Sequence, residues 1–229
     1  MYVFHGASAA VRVPSRGGGS SWSDRHVPPG FTERTGPGAG TTDPYTKLLE
    51  GRIVLLGTAV DEASAQHVIA QLMHLEHRDP DRPVSLYVNS PGGSFTAMTA
   101  VYDTIRYLAC DVETTCLGQA GASAAPLLAA GTPGRRAILP GARVVLRQPP
   151  LTGPLEGPAG DLASRAEELT RIRARLEEIL VRHTGRSPAQ VTEDVERGTV
   201  LDAQQAVEYG LVDRIVTGRP GASPAPRGR

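Results

Sequence analysis

The chain has 229 residues, and its 24 Lys and Arg residues balance its 24 Asp and Glu residues. This length fits one domain with tails, and the zero net charge leaves no electrostatic footprint for nucleic acid or an anionic membrane. Two cysteines do not make a disulfide framework, no apolar run approaches the roughly 20 residues of a membrane span, and no signal peptide is visible, so a reducing cytoplasm is the expected compartment.

Both ends of the chain are rich in Gly, Ser and Pro. Residues 1–42 contain SRGGGSSWS, HVPPG and GPGAGTT, and residues 218–229 read GRPGASPAPRGR. Such a composition cannot bury enough surface to offset the entropy of ordering. We therefore expect flexible tails at 1–42 and 218–229 around one folded domain at 43–217.

Short apolar runs alternate with longer helical patterns between these tails. In chain order they predict a strand at 52–56, a helix capped by Asp61, a strand at 84–88, a glycine turn at 90–93, a helix at 96–108, a strand at 112–117, a short apolar helix at 122–130 and a strand at 144–146. Alternation of strands with helices favours a mainly parallel sheet covered by helices.

A long amphipathic helix is predicted after the Pro/Gly-rich segment that follows Pro150. Its apolar face comprises Leu162, Ala166, Leu169, Leu176 and Leu180, and it stops at Gly185. The pattern alone does not decide whether this face packs on its own domain or on a partner.

One segment has the form of a peptidase nucleophile mount. Serine peptidase chemistry needs a Ser, a base that takes its proton, an acid that orients the base, and backbone N–H groups that face the oxyanion. A strand-turn-helix junction suits the Ser, because it exposes one side chain and directs helix N–H groups at the site. Residues 116–131, CLGQAGASAAPLLAAG, predict such a junction.

This segment, read with YVNSPGGSFTA, ARVVLRQP, HTG and AVEYGLVD, resembles ClpP, the proteolytic subunit of the ATP-dependent Clp protease. The likeness runs from Pro44 to Val216, with the motifs in family order and at family spacing. It implies a ClpP/crotonase-type α/β fold with repeated strand-helix units and a protruding handle helix. It also implies assembly into a barrel of stacked heptameric rings.

The family's catalytic positions are all replaced in this sequence. Carried over without a gap, the nucleophile position falls on Ala122, the base position on Arg147 and the acid position on Gly198. The two residues whose backbone N–H groups form the family's oxyanion hole correspond to Gly93 and Ser123. The resemblance therefore implies a degenerate actinobacterial paralogue that keeps the oxyanion donors.

Ser123 is a candidate displaced nucleophile. One step along a helix turns a side chain by roughly 100°, away from the family's pocket. Arg147 cannot act as its base, because a guanidinium stays protonated. His74 and His77, with Glu76, could suggest a metal, but no third ligand has suitable spacing, so we expect neither a metal nor another cofactor.

The resemblance also implies partners. The family's hydrophobic pocket for an AAA+ unfoldase of the Clp type corresponds to Met73, His74, Ser85, Tyr87 and Tyr107, and the family's ring-to-ring contact includes Arg197. We expect a non-catalytic subunit that forms homo- or hetero-oligomeric rings with an active ClpP paralogue. The alternatives are an active endopeptidase that uses Ser123, a crotonase-like acyl-CoA enzyme, and a ring that assembles without an active partner.

Overall fold

The structure of the chain is a computed structural model that describes residues 31–33, 40–42, 44–148 and 159–218. The chain divides into two units, Met1–Pro44 and Tyr45–Arg229. In the first unit, β1 (Phe31–Glu33) pairs antiparallel with β2 (Gly40–Thr42). The other residues of the expected tails, 1–30, 34–39 and 219–229, lie outside the described residues, as does the Pro/Gly-rich segment 149–158.

The second unit alternates strands and helices. Its strands are β3 (Ile53–Leu56), β4 (Val84–Ser90), β5 (Val112–Gly121), β6 (Arg136–Ile138), β7 (Arg143–Val145), β8 (Val200–Leu201) and β9 (Arg214–Ile215). The helices, of which the first begins at the boundary between the units, are α1 (Pro44–Glu50), α2 (Glu62–Arg78), α3 (Phe95–Tyr107), α4 (Ala124–Ala129), α5 (Ala159–Thr184), α6 (Pro188–Arg197) and α7 (Ala203–Tyr209).

These seven strands form one sheet. The main path runs β3-β4-β5-β6-β9, and β7 joins it by pairing with both β5 and β8. Every pairing is parallel except that of β7 with β8. Alternate residues of β4 are buried, with Val84, Leu86 and Val88 facing the core beneath α2 and α4. The mainly parallel sheet that the sequence predicts is thus present.

The strand and helix predictions hold, with shifted boundaries. Asp61 caps α2 by accepting a hydrogen bond from the Ser64 N–H at 2.8 Å, as the sequence predicts. Strand β5 is longer than the predicted 112–117, because its small residues continue the pairing: Ala120 lies beside Ser90, and Gly121 lies beside Val145. Helix α4 correspondingly begins later than the predicted residue 122.

Beyond β1 and β2, six elements were not predicted: α1, β6, α6, β8, α7 and β9. Helix α6 carried readable signals, because Ser187 caps it, Pro188 occupies its first turn, and Gly198 ends it in a left-handed conformation at φ 69°. The three strands have only two or three residues each, too few to show a periodic pattern.

Arg52 has a structural role that its sequence position did not indicate. The side chain is 6% exposed, and its guanidinium donates hydrogen bonds of 2.8–3.0 Å to four backbone carbonyls. These carbonyls belong to Leu75, Asp79, Arg82 and Pro83. Arg52 therefore fixes the end of α2 and the connection to β4, and it satisfies carbonyls that a helix end leaves without partners.

The amphipathic helix α5 divides into two parts. In its C-terminal part, Leu176, Ile179 and Leu180 are buried in the core of the same unit. Further towards the N-terminus, Ala166 is exposed and Leu169 is partly exposed, whereas the side chain of Leu162 lies outside the described residues. The C-terminal part of the face thus packs on its own domain, whereas Ala166 and Leu169 are not buried by it.

Candidate active site

A glycine turn forms one wall of the site. It follows β4 and contains Gly92 at φ 93° and Gly93 at φ 157°. A Cβ atom on Gly92 would lie 2.4 Å from the Gly121 carbonyl oxygen, and one on Gly93 would lie 2.2 Å from the Val60 carbonyl oxygen. Glycine is required at both positions, because the backbone conformation and the close approach both exclude a side chain.

The nucleophile position, Ala122, occupies the junction between β5 and α4. It has a left-handed backbone with φ of 43°, and its N–H donates to the Val145 carbonyl at 2.8 Å. A non-glycine residue in this region is strained, and a strained strand-to-helix turn is the mount that hydrolases use to present a nucleophile. Here the mount is retained, but it carries a methyl group.

The register of β7 brings the other two replaced positions to the same place. Val145 pairs with Val200, and the Leu146 N–H donates to the Thr199 carbonyl at 2.8 Å. Continuing this antiparallel register by one residue sets Arg147 opposite Gly198. Since Ala122 is bonded to Val145 on the other side of β7, all three positions converge at the end of this strand.

Arg147 and Gly198 differ in their surroundings from a paired catalytic base and acid. The Arg147 side chain is exposed, and no acidic side chain within residues 44–148 and 164–218 pairs with it. Gly198 has no side chain, and a Cβ atom placed there would have no atom within 4 Å. The space of the family's acid is therefore open rather than filled by another group.

Ser123 does not face an open pocket. Its side chain is fully buried, and its Oγ accepts a hydrogen bond from the Gly93 N–H at 2.7 Å and donates one to the Gly93 carbonyl at 3.0 Å. The backbone donor expected to face an oxyanion is thus already occupied. Sequence reasoning missed this contact, because it joins residues 30 positions apart.

The acidic residues near Gly198 are committed to other contacts. Asp194 accepts hydrogen bonds from the Tyr209 hydroxyl at 2.9 Å and from the Thr199 hydroxyl at 3.2 Å. Asp202 caps α7 by accepting a hydrogen bond from the Gln205 N–H at 2.9 Å. Neither carboxylate is free to replace the missing acid.

The described histidines lie away from the end of β7. His67, His74 and His77 are exposed on α2. His183, near the end of α5, is hydrogen-bonded through Nε2 to the Tyr102 hydroxyl at 3.0 Å. Burial and the nearby cations Arg106 and Arg136 lower the pKa of His183 to about 4, so this imidazole is neutral at physiological pH.

His183 should make the protein less stable in mild acid. Its ordinary pKa is 6.5 and its folded pKa is about 4, so the unfolded chain binds the proton more tightly. Stability from this group is complete above pH 6.5 and is lost as pH falls towards 4, with a limiting slope of about 1.4 kcal/mol per pH unit. Because the ring is only partly buried, solvent screening should reduce the slope to a fraction of that limit.

Urea unfolding at pH 7.5 and pH 5 measures this dependence. His183→Gln should show a smaller loss of the unfolding midpoint between the two pH values than the unmodified chain. His77→Gln, which changes an exposed histidine of α2, is the matched control and should lose as much as the unmodified chain. Equal losses in all three proteins would contradict the assignment.

The residues of the expected docking pocket lie around the outer part of α2, α3 and β4. Tyr107 is 79% exposed and Met73 is 50% exposed, whereas Tyr87 and Ser85 are partly buried. The Ser85 hydroxyl approaches a Glu113 carboxylate oxygen at 3.4 Å, and that carboxylate binds Arg135 at 2.7 Å. Polar groups therefore occupy part of the surface where the resemblance predicts an apolar pocket.

The expected ring contact, Arg197, lies in the last turn of α6. Its guanidinium pairs with Glu193 at 3.0 Å, and both side chains are largely exposed. Arg197 is therefore not a buried charge, although Gly198 beside it offers no carboxylate. Such an exposed pair contributes at most about 1 kcal/mol.

The described residues contain neither a cluster of metal ligands nor a helix that could span a membrane. Within them, His, Cys, Asp and Glu side chains do not come together in groups of three or more that could hold a metal ion. The helices formed by these residues include none with the length and apolar character needed to cross a membrane.

The fold and the junction define an α/β protein with the mount of a nucleophilic hydrolase, and comparison with known proteins agrees. A family model described as Clp protease matches residues 37–219. A Streptomyces coelicolor protein, named as ATP-dependent Clp protease proteolytic subunit-like, is 72% identical over 207 residues, which cover 90% of this chain and 98% of that protein. The chain belongs to the Clp protease family, and the predicted ClpP-type α/β fold is confirmed.

Two further relatives are named as numbered subunits. ATP-dependent Clp protease proteolytic subunit 2 of Corynebacterium jeikeium is 52% identical over 191 residues, which cover 83% of this chain and 91% of the relative. The protein of the same name from Streptomyces coelicolor is 50% identical over 212 residues, which cover 91% and 96% respectively. Subunits that bear numbers indicate that organisms such as Streptomyces coelicolor encode more than one such chain.

Proposed function

We propose that this chain is a non-catalytic subunit of an ATP-dependent Clp protease. One observation carries the proposal: the three triad positions converge at the end of β7, and they hold a methyl group, a guanidinium and a glycine. No proton can be taken from a hydroxyl there, because the nucleophile, the base and the acid are all missing. A serine peptidase that retains only substrate positioning and backbone donors keeps a small fraction of its rate acceleration.

The alternative, an active endopeptidase that uses Ser123, finds little support in the geometry. A nucleophile needs access to the substrate and a base within hydrogen-bond reach. The Ser123 Oγ is buried, and both of its hydrogen bonds join it to the Gly93 backbone. Arg147, which follows β7, carries a guanidinium and cannot serve as that base.

We further propose that this chain acts in the assembly of Clp protease rings in the cytoplasm. The relatives of this chain are named as proteolytic subunits, and the family forms barrels of heptameric rings that receive substrates from an AAA+ unfoldase of the Clp type. This chain would occupy positions in mixed rings beside an active ClpP paralogue. Part of α5 suits a contact between rings, because its apolar Leu169 is only partly covered by its own domain.

The purified chain should cleave no peptide. We expect short fluorogenic peptides to remain intact at the background rate and a fluorophosphonate probe to leave Ser123 unlabelled, because the Ser has no base and no access. Turnover is followed by fluorescence, and labelling by mass spectrometry of the peptide containing residue 123.

The variant Ser123→Ala separates contamination from true activity. Turnover that persists in this variant comes from another peptidase in the preparation. Turnover or labelling that disappears with the substitution would overturn the proposal and establish Ser123 as a nucleophile. Analytical ultracentrifugation of the chain with and without an active paralogue would show mixed rings as a species absent from either protein alone.

A further inference from the structure

One edge of the backbone at Gly93 is hydrogen-bonded to Val60, and the other edge faces Ser123 at the start of α4. The Val60 N–H donates to the Gly92 carbonyl at 3.0 Å, and the Ser94 N–H donates to the Val60 carbonyl at 2.7 Å. These bonds make a parallel bridge between Val60 and Gly93. In such a bridge the flanking residues bond to the partner strand, so the N–H and carbonyl of Gly93 itself point the opposite way.

The hydroxyl of Ser123 takes both groups on that second edge. Its Oγ lies 2.7 Å from the Gly93 nitrogen and 3.0 Å from the Gly93 oxygen. Ser123 stands at the N-cap of α4, where a serine hydroxyl ordinarily accepts a hydrogen bond from its own helix. Here it makes no capping bond, because its hydroxyl is directed at the glycine turn instead.

We propose that Ser123 is a positioning residue that closes the oxyanion site. This proposal rests on the proposed function. It adds a fourth difference from an active site to the three at the triad positions. A substrate carbonyl that became an oxyanion would need the Gly93 N–H, which the Ser123 hydroxyl already holds. A ligand with a tetrahedral anion therefore has to displace an internal, part-buried hydrogen bond before it can bind.

A matched pair of serines lets this idea be tested. Ser90 is also fully buried, and its Oγ accepts a hydrogen bond from the Gly92 N–H at 3.2 Å in the same turn. Ser123→Ala frees the N–H of Gly93, whereas Ser90→Ala frees that of Gly92 only. The probe is a peptide whose scissile amide is replaced by a phosphonate, and the same peptide with its amide intact is the reference.

Calorimetry on the assembled full chain should separate these variants. We expect Ser123→Ala to bind the phosphonate peptide at least about tenfold more tightly than the unmodified chain, with no such gain for the amide peptide. Ser90→Ala should show no gain for either. Equal phosphonate affinities in the unmodified chain and in Ser123→Ala, or an equal gain in Ser90→Ala, would overturn the proposal.

Hydrogen–deuterium exchange of the unmodified chain gives a second test that needs no variant. The Gly93 amide should be protected, because it is hydrogen-bonded to the hydroxyl of the buried Ser123. Exchange of this amide at the rate of an open loop would overturn the proposal even if Ser123→Ala failed to fold. Neither measurement depends on turnover. Peptidase activity would contradict the proposed function, whereas the role of Ser123 is tested separately by phosphonate affinity and by exchange of the Gly93 amide.

Discussion

Restoring the triad alone should give only trace peptidase activity, and adding Ser123→Ala should raise kcat about 100- to 1,000-fold. The restored background combines Ala122→Ser, Arg147→His and Gly198→Asp. The factor is the typical effect of one oxyanion-hole donor, here the Gly93 N–H that Ser123 otherwise occupies. Fluorogenic peptide turnover and the rate of fluorophosphonate labelling both measure it.

The backbone can accept these changes. Ala122 already has the strained conformation of a nucleophile mount. Gly198 has a left-handed backbone, which Asp tolerates better than most residues, and its Cβ would meet open space. Ala122→Ser alone should remain inactive, because it adds a hydroxyl without a base.

Ser90→Ala in the same restored background is the control for a general loosening of the turn. It removes a buried hydroxyl but leaves the Gly93 N–H bonded to Ser123, so kcat should not rise. Strong turnover by any single substitution would show that the base or the nucleophile has been misplaced.

The second large effect concerns unfoldase docking. Replacing His74 or Ser85 with Leu should tighten binding of a Clp-type unfoldase to rings of this chain by roughly 5- to 150-fold for each side chain. The reason is that burying a large apolar side chain contributes about 1–3 kcal/mol, whereas the present surface offers a hydroxyl beside Glu113 and an exposed imidazole. Exposed Tyr107 and Met73 already provide the apolar rim of this surface.

Biolayer interferometry with immobilised unfoldase measures the dissociation constants. His77→Leu is the matched control, because it adds the same apolar group to an exposed position of α2 one turn away. A gain in affinity for His77→Leu equal to that for His74→Leu would mean that binding follows general hydrophobicity. Docking to the unmodified rings as tight as to an active paralogue would contradict the assignment of the pocket.

Much of the fold could be predicted because its signals are local. The cap at Asp61 and the spacing of the apolar residues after it predict helix α2, and the composition of residues 84–88 predicts strand β4. Helix α6 could have been predicted from Ser187, Pro188 and Gly198. Strand β6 could not, because its three residues depend on a distant partner: Arg136 is held by Asp213 at 2.6 Å.

The ion pair of Arg136 with Asp213 also shows that the surroundings of a carboxyl group set its pKa. Burial alone would raise the pKa of Asp213, but hydrogen bonds from Arg136 outweigh it, and the net effect lowers the pKa. Arg136 also donates to the His183 carbonyl at 3.0 Å, which ties the end of α5 to the sheet. The sequence shows both charged residues but does not predict their contact, because they are 77 positions apart.

The sequence by itself determined the family resemblance and predicted the replacement of the three catalytic groups, because both depend only on which residue stands at each motif position. Only the tertiary structure shows whether the expected oxyanion donor of the glycine turn already has a hydrogen-bond partner. That donor belongs to Gly93, and the hydroxyl that holds it comes from the turn after β5, 30 residues away. Side-chain identity is written in the chain, whereas the partner of a backbone N–H is set by how distant segments pack.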